Sequence, residues 1–299
     1  MTSYGYFVLA PNEWDGRRGE LWRVLRDGSG GAVGARVRQR SGRAGGTLVV
    51  DFDRPLEGSD RAAARAQVRR MLRLDMSSGS LARWYGLSAA ARREGYGRLF
   101  RSPTFFEDVV KTMTGCNVSW PNTISMNRRL VARVARDGGF PTPGMLAGWS
   151  PSKLKRAAKV GYRAERIIRL ARDVDSGRLD LAWFESPART SDELYEALRA
   201  IHGVGDYAAS NLLQCLGHFD RLAVDSETIR HFRQFHGATG DARAIEQRAR
   251  AHYDGYAPFQ FLAYWHELWR DYERRIGRAN GWSADHSAQL TANRQRDGA

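Results

Sequence analysis

Two stretches of this chain combine residue types that can do chemistry. Residues 202–213 read HGVGDYAASNLL, and residues 217–232 read GHFDRLAVDSETIRHF. The first sets Gly203 and Gly205 around Val204, between a helical pattern ending at Ile201 and another starting by Asp206. Glycines at these positions permit positive φ and let foreign backbone come close. The amides of residues 203–207 would then point outward at the start of the second helix, where the dipole favours an anion. The segment therefore predicts a phosphate cradle, with Leu198, Ile201, Val204, Ala208 and Leu212 locking the helices together. The alternative is an ordinary tight turn between helices, for which one C-cap glycine is usual. In the second stretch the apolar run Leu222, Ala223 and Val224 leads to Asp225, and Ile229 and Phe232 anchor the helix after it. An aspartate there can be a plain N-cap. It can also be a carboxylate kept ionised by backbone N–H groups.

Composition narrows the partner. The 299 residues carry a formal charge of +14, which points to a polyanion. Of 47 basic residues only Lys111, Lys153, Lys155 and Lys159 are lysine, so a habit of arginine use is the alternative explanation. Two cysteines are too few for a disulfide framework, a four-cysteine zinc site or an iron–sulfur cluster. The seven histidines show no HxxxH or HExxH spacing, and no catalytic metal is expected. The opening MTSYGYFVLAPNEWDG lacks the basic start of a signal peptide. No apolar run approaches the roughly 18 residues of a membrane span. The chain reads as cytosolic.

The elements that must position these stretches follow from periodicity. YGYFVL, LWRVL, AVGARVRQR and GTLVVDFD read as strands between glycine-rich turns. Val33, Ala35 and Val37 alternate with Arg36, Arg38 and Arg40, and Leu48, Val50 and Phe52 alternate with Val49, Asp51 and Asp53. Period two with one polar face predicts an antiparallel sheet covered on one side. The cover is a helix over about residues 60–74, with Ala64, Val68, Met71 and Leu72 on one stripe. From about residue 80 the pattern is helical. TSDELYEALRAI opens with a capping box, Thr190 to Glu193. FQFLAYWHELWRDYERRI carries an aromatic stripe that reads as core. Residues 277–299 have no period and read as a frayed tail.

The pattern L-x-x-I-x-G-V-G-x-x-A-A, with Asp225 twenty residues beyond Gly205, resembles the helix-hairpin-helix superfamily of DNA glycosylases, named for that hairpin, a Gly/Pro-rich loop and an aspartate. SPTFFEDVVKTMTGCNVSWPNT resembles the early helix and lesion-gap loop of that family, and GYRAERIIRLAR a segment of its 8-oxoguanine branch. LAPNEWD and the strands after it resemble the amino-terminal sheet domain of the 3-methyladenine (AlkA-type) and 8-oxoguanine branches. These segments span most of residues 5–272.

The resemblance implies an α+β chain: an antiparallel sheet domain over 1–85, a helical glycosylase domain of two subdomains over 86–276, and a tail over 277–299. It implies a cleft between the subdomains with Asp225 at its lip. The carboxylate would stabilise the oxocarbenium formed when an N-glycosidic bond breaks, and would orient the attacking water. Asp220 and Glu227 are the rival acids. His202, Gly203, Val204, Gly205, Tyr207 and Ala208 would form the DNA-binding hairpin. No cofactor is implied beyond a monovalent cation, Na+ or K+, which the family often holds there. Members that also cut the strand carry a lysine where this chain has Tyr207. A tyrosine cannot form a Schiff base, which implies a monofunctional enzyme that leaves an abasic site. Asn117 and Trp120 are candidates for the residue that fills the gap left by a flipped nucleotide; Trp120 reads equally as core or as a wall of the base pocket, and Tyr207 as hairpin packing or as a stacking partner for the base. The implied partner is double-stranded DNA carrying a damaged base, an alkylated or otherwise labilised purine, acted on by a monomer. Two alternatives are an 8-oxoguanine-directed enzyme of the same fold and a catalytically silent DNA-binding protein.

Overall fold

The computed structural model describes residues 1–40 and 46–292. Four antiparallel strands form a meander in the order β1 (Glu13–Asp15), β2 (Glu20–Arg26), β3 (Ala32–Arg40) and β4 (Thr47–Phe52). Leu21, Arg23 and Leu25 of β2 pair with Val37, Ala35 and Val33 of β3, and all six are buried. Arg36 and Arg38 fall on the other face, where Arg38 meets Asp51 at 2.9 Å and Glu20 at 3.5 Å. The two-residue alternation thus works as expected. It fades in β4, where Leu48, Val50 and Phe52 are only half-buried, because β4 is an edge strand. The helix Gly58–Met71 supplies the expected cover with Ala64, Val68 and Met71 buried. One strand expectation fails: Gly5–Val8, within YGYFVL, is a 3-10 turn that buries Tyr6, Phe7 and Val8. Its run of apolar residues is core without being sheet.

The inward face of β2 carries a charge. Arg23 reaches Glu107 on the helix Phe105–Gly115 at 3.0 Å, and Lys111, one turn on, meets the same carboxylate at 2.7 Å. All three side chains are almost wholly buried. Burial opposes ionisation of Glu107, but the two cations overcome it and hold its pKa below the usual value. Removing one member of such a group strands the others in an apolar interior, at about 3–5 kcal/mol.

The chain divides into two compact units interleaved in sequence. One comprises 1–75, 98–180 and the segment from Tyr272 onward; the other comprises Met76–Gly97 and Leu181–Asp271. The sheet falls in the first of these units. It shares a core with the early helices. The expected tail also differs. Trp282 is buried, donates its indole N–H to Gly277 O at 2.8 Å and stacks on Phe7. Short helices follow at Ala284–Ser287 and Gln289–Ala292. One tryptophan docked in a core orders a segment that lacks any period; the rest of the expected tail, 293–299, lies outside the described residues. No helix among the described residues is long and apolar enough to cross a membrane.

Candidate active site

The hairpin lies in the second unit. Its first helix, Ser191–Ala200, starts at the capping box expected from sequence: Thr190 Oγ1 accepts from Glu193 N, and the Glu193 carboxylate accepts from Thr190 N. Its second helix is Asp206–Leu216. Leu198, Ile201, Val204, Ala208 and Leu212 are all buried, which locks the pair. His202 and Gly205 are exposed and Tyr207 is half-buried.

The two glycines play different parts. Gly203 has φ +87°, where a side chain is strained. Gly205 is the N-cap, with φ −96° and ψ −178°, extended backbone open to any residue. A Cβ added there would meet only Arg199 Nη1, at 3.8 Å. The chain's own fold needs the first glycine and not the second. The second keeps the start of the helix bare. Beside it, Asp206 pairs with Arg199 at 3.0 Å and accepts a hydrogen bond from Tyr195.

Asp225 caps the helix Ser226–Phe235 in the same unit. Its Oδ1 accepts from the backbone N–H of Glu227 at 2.9 Å and of Thr228 at 3.0 Å. Thr228 Oγ1 also donates toward Oδ1 at 3.3 Å and accepts from Asp225 N at 3.1 Å. That hydroxyl meets the phenol of the buried Tyr264 at 2.8 Å. Oδ2 accepts no hydrogen bond among the described residues. The carboxylate is thus divided, with one oxygen committed to the helix and the other without a hydrogen bond among the described residues. Burial raises its pKa above the usual aspartate value, with the Glu227 charge adding to the rise and the amide donors opposing it.

The surroundings separate Asp225 from its rivals. It lines an open groove of about 860 Å³ with Ile229, Arg230, Arg233 and Arg243. Glu227 is bound to Arg230 at 2.9 Å, and Arg230 also holds the buried Asp271 at 2.8 Å. Asp220 accepts from Ser191 Oγ. Upstream, Leu222 and Ala223 are buried, and Phe219 O accepts from Phe261 N, so the approach to Asp225 is pinned. Phe232 is the anchor expected; Ile229 instead faces the groove.

Asn117 and Trp120 lie in the first unit. Asn117 is exposed in a left-handed conformation, φ +51°. Its loop is clamped by the buried Arg163, whose guanidinium donates to Met113 O at 3.0 Å, to Cys116 O, and to Asn117 O at 3.2 Å. Trp120 is engaged in packing: its indole N–H donates to Ser287 Oγ at 3.2 Å, and its ring lies where a Cβ on Gly5 would come within 3.1 Å.

Sequence reasoning missed two supporting residues. Tyr264 sits within the aromatic run of the helix Gln260–Ile276 and reads as core; only its hydroxyl, turned to Thr228, betrays a second role. Arg163 is visible only as part of GYRAER, with no sign in the string that it caps another helix.

The chain thus combines a small antiparallel sheet, a helical region, a glycine hairpin and a capping aspartate twenty residues beyond the second hairpin glycine. Among solved structures the chain is similar to a 3-methyladenine DNA glycosylase from Archaeoglobus fulgidus. The TM-score is 0.63 at 20% identity, over 87% of this chain and 91% of that one. It is also similar to the Clostridium acetobutylicum 8-oxoguanine glycosylase/lyase bound to duplex DNA with cytosine opposite 8-oxoG, with TM-score 0.57 at 14% identity over 90% and 99% of the two chains. A third is MBOgg1 with a low-affinity DNA ligand, TM-score 0.60 at 16% identity over 89% and 99%. No protein-family model and no curated protein sequence matches the chain. At these identities the likeness is one of fold.

Proposed function

We propose that this protein is a DNA glycosylase that hydrolyses the N-glycosidic bond of a damaged base in duplex DNA and leaves an abasic site. The observation that carries this reading is the divided carboxylate of Asp225. Its helix-bound oxygen fixes its position, its other oxygen accepts no hydrogen bond among the described residues, and the residue lines a groove with Arg230, Arg233 and Arg243. Such a carboxylate stabilises the positive charge that builds on the sugar and accepts a proton from the attacking water. The bare hairpin around Gly205 would take the phosphate backbone, directly or through a monovalent cation. Asn117, presented on its clamped loop, would fill the space of the flipped nucleotide. The substrate class is an alkylated or otherwise labilised purine, since a labile bond needs only a carboxylate. On this reading the protein acts as a monomer in the cytoplasm, at the nucleoid.

Strand cleavage needs an amine. Tyr207 stands at the hairpin position where strand-cutting relatives carry lysine, and Lys111 is fully buried against Glu107. The experiment is single-turnover incubation with end-labelled duplexes carrying methylated adenine, hypoxanthine, uracil or 8-oxoguanine, each read with and without alkali. The expected result is strand breaks on one lesion class, only after alkali. Breaks without alkali, or a complex trapped by borohydride, would refute the hydrolytic reading. Tight, salt-sensitive binding with no product on any duplex would favour the silent DNA-binding alternative.

A further inference from the structure

A second cluster of side chains lies beyond the Asp225 groove, in the same unit. His231 lies on the helix that Asp225 caps and His236 is that helix's C-cap residue, while Glu267 comes from the helix Gln260–Ile276. His231 Nε2 lies 2.7 Å and His236 Nε2 2.6 Å from the same oxygen, Glu267 Oε1. The three ligand atoms lie within 4.8 Å of one another. His252, on the helix Ala242–Tyr253, brings its Nε2 to 3.9 Å from Glu267 Oε2, and Tyr253 donates to that oxygen at 3.1 Å. Three of the seven histidines thus converge on one carboxylate.

We infer that this cluster is a structural site for a divalent transition metal of the zinc type, with His231, His236 and Glu267 as ligands and His252 as the fourth. Imidazole and carboxylate donors suit zinc, and a site closed by four protein ligands is the structural kind. The geometry around His231 favours the metal over a plain hydrogen-bond network. The ring is fully buried, and its Nδ1 makes no hydrogen bond while lying 3.9 Å from the buried carboxylate of Asp271. If Nε2 carried the proton for Glu267, the lone pair of Nδ1 would face that carboxylate. With a metal on Nε2, the proton moves to Nδ1 and points at Asp271. This is the carboxylate–histidine–metal arrangement that fixes a ligand's tautomer. The separations of 2.6 and 2.7 Å between ligand atoms would open by about 0.6–1 Å to admit a tetrahedral ion with bonds of about 2.0–2.2 Å. The site would join three helices, one of which has Asp225 as its N-cap. The spacing His231 to His236, five apart, matches no helical metal motif, which is why the sequence does not announce it.

The test uses the untagged full-length chain, stripped with chelator and titrated with zinc chloride by calorimetry, with thermal unfolding followed in parallel. The expected result is one zinc per chain and a higher unfolding temperature in its presence. Asp271→Asn should weaken binding roughly 10- to 100-fold, and His236→Ala by more. His252 is exposed, so His252→Ala keeps the fold and isolates its role as a ligand; it too should lower affinity. No saturable binding by the untagged chain, or affinity unchanged in either histidine variant, would overturn the site.

Discussion

Asp225 has two duties that make opposite demands. As a cap it needs an oxygen acceptor, and asparagine serves nearly as well. As a charge stabiliser it must be ionised in a half-buried position that disfavours the charge. A carboxyl whose pKa is higher in the folded than in the unfolded chain adds stability at low pH and loses it as pH rises through the raised value. Asp225→Asn should therefore unfold at the same or a higher temperature than wild type at pH 7.5. That advantage should shrink as pH falls toward about 4, the ordinary aspartate value. Thermal unfolding across that range checks it. The acid limb of the excision rate should lie above the ordinary aspartate pKa, because the reacting form is the carboxylate. Asp225 was legible in the sequence from its register after the hairpin. Its division into a bound and an available oxygen was not, since that depends on which oxygen the Glu227 and Thr228 amides reach. Nor was Tyr264: a buried aromatic and a buried hydroxyl donor look alike in a string.

At the scale of elements, the hairpin was the most legible part, because glycine, a capping box and an apolar stripe each report one local requirement. The structure adds an asymmetry that the string conceals. Gly203→Ala forces a side chain into the left-handed region and should cost about 1 kcal/mol of stability. Gly205→Ala puts a methyl group where the chain itself has room, so stability should hold while affinity for duplex DNA falls. Denaturant titration and fluorescence anisotropy on the same two variants separate these outcomes. A loss of stability at Gly205 equal to that at Gly203 would mean that the second glycine serves the fold after all. The strand expectation for YGYFVL failed at this scale too, because an apolar run reports burial and not extension.

For the whole molecule, the +14 charge was legible from composition, and the partition was not. The units interleave, with 76–97 joining residues far downstream and the segment from Tyr272 returning to the first. Hydrophobic periodicity says which face is buried, never against which distant partner. Trp282 shows the same limit: one buried ring makes core of a segment without pattern. The charge has a measurable consequence. Arg233 and Arg243 are exposed on the Asp225 groove. If they meet phosphates, each alanine variant should weaken binding about equally for all duplexes and reduce the slope of log affinity against log salt by about 1. An unchanged slope would put the phosphate contacts elsewhere.

The most direct test of the central claim is single-turnover excision and duplex binding for wild type and Asp225→Asn on the same lesion duplex. Wild type should release the base and leave an alkali-labile site. The variant should bind with unchanged affinity while its excision rate falls by roughly 100-fold or more, the scale expected for losing a fixed transition-state charge. Excision at the wild-type rate by a correctly folded Asp225→Asn chain would contradict the account and move the chemistry to another residue.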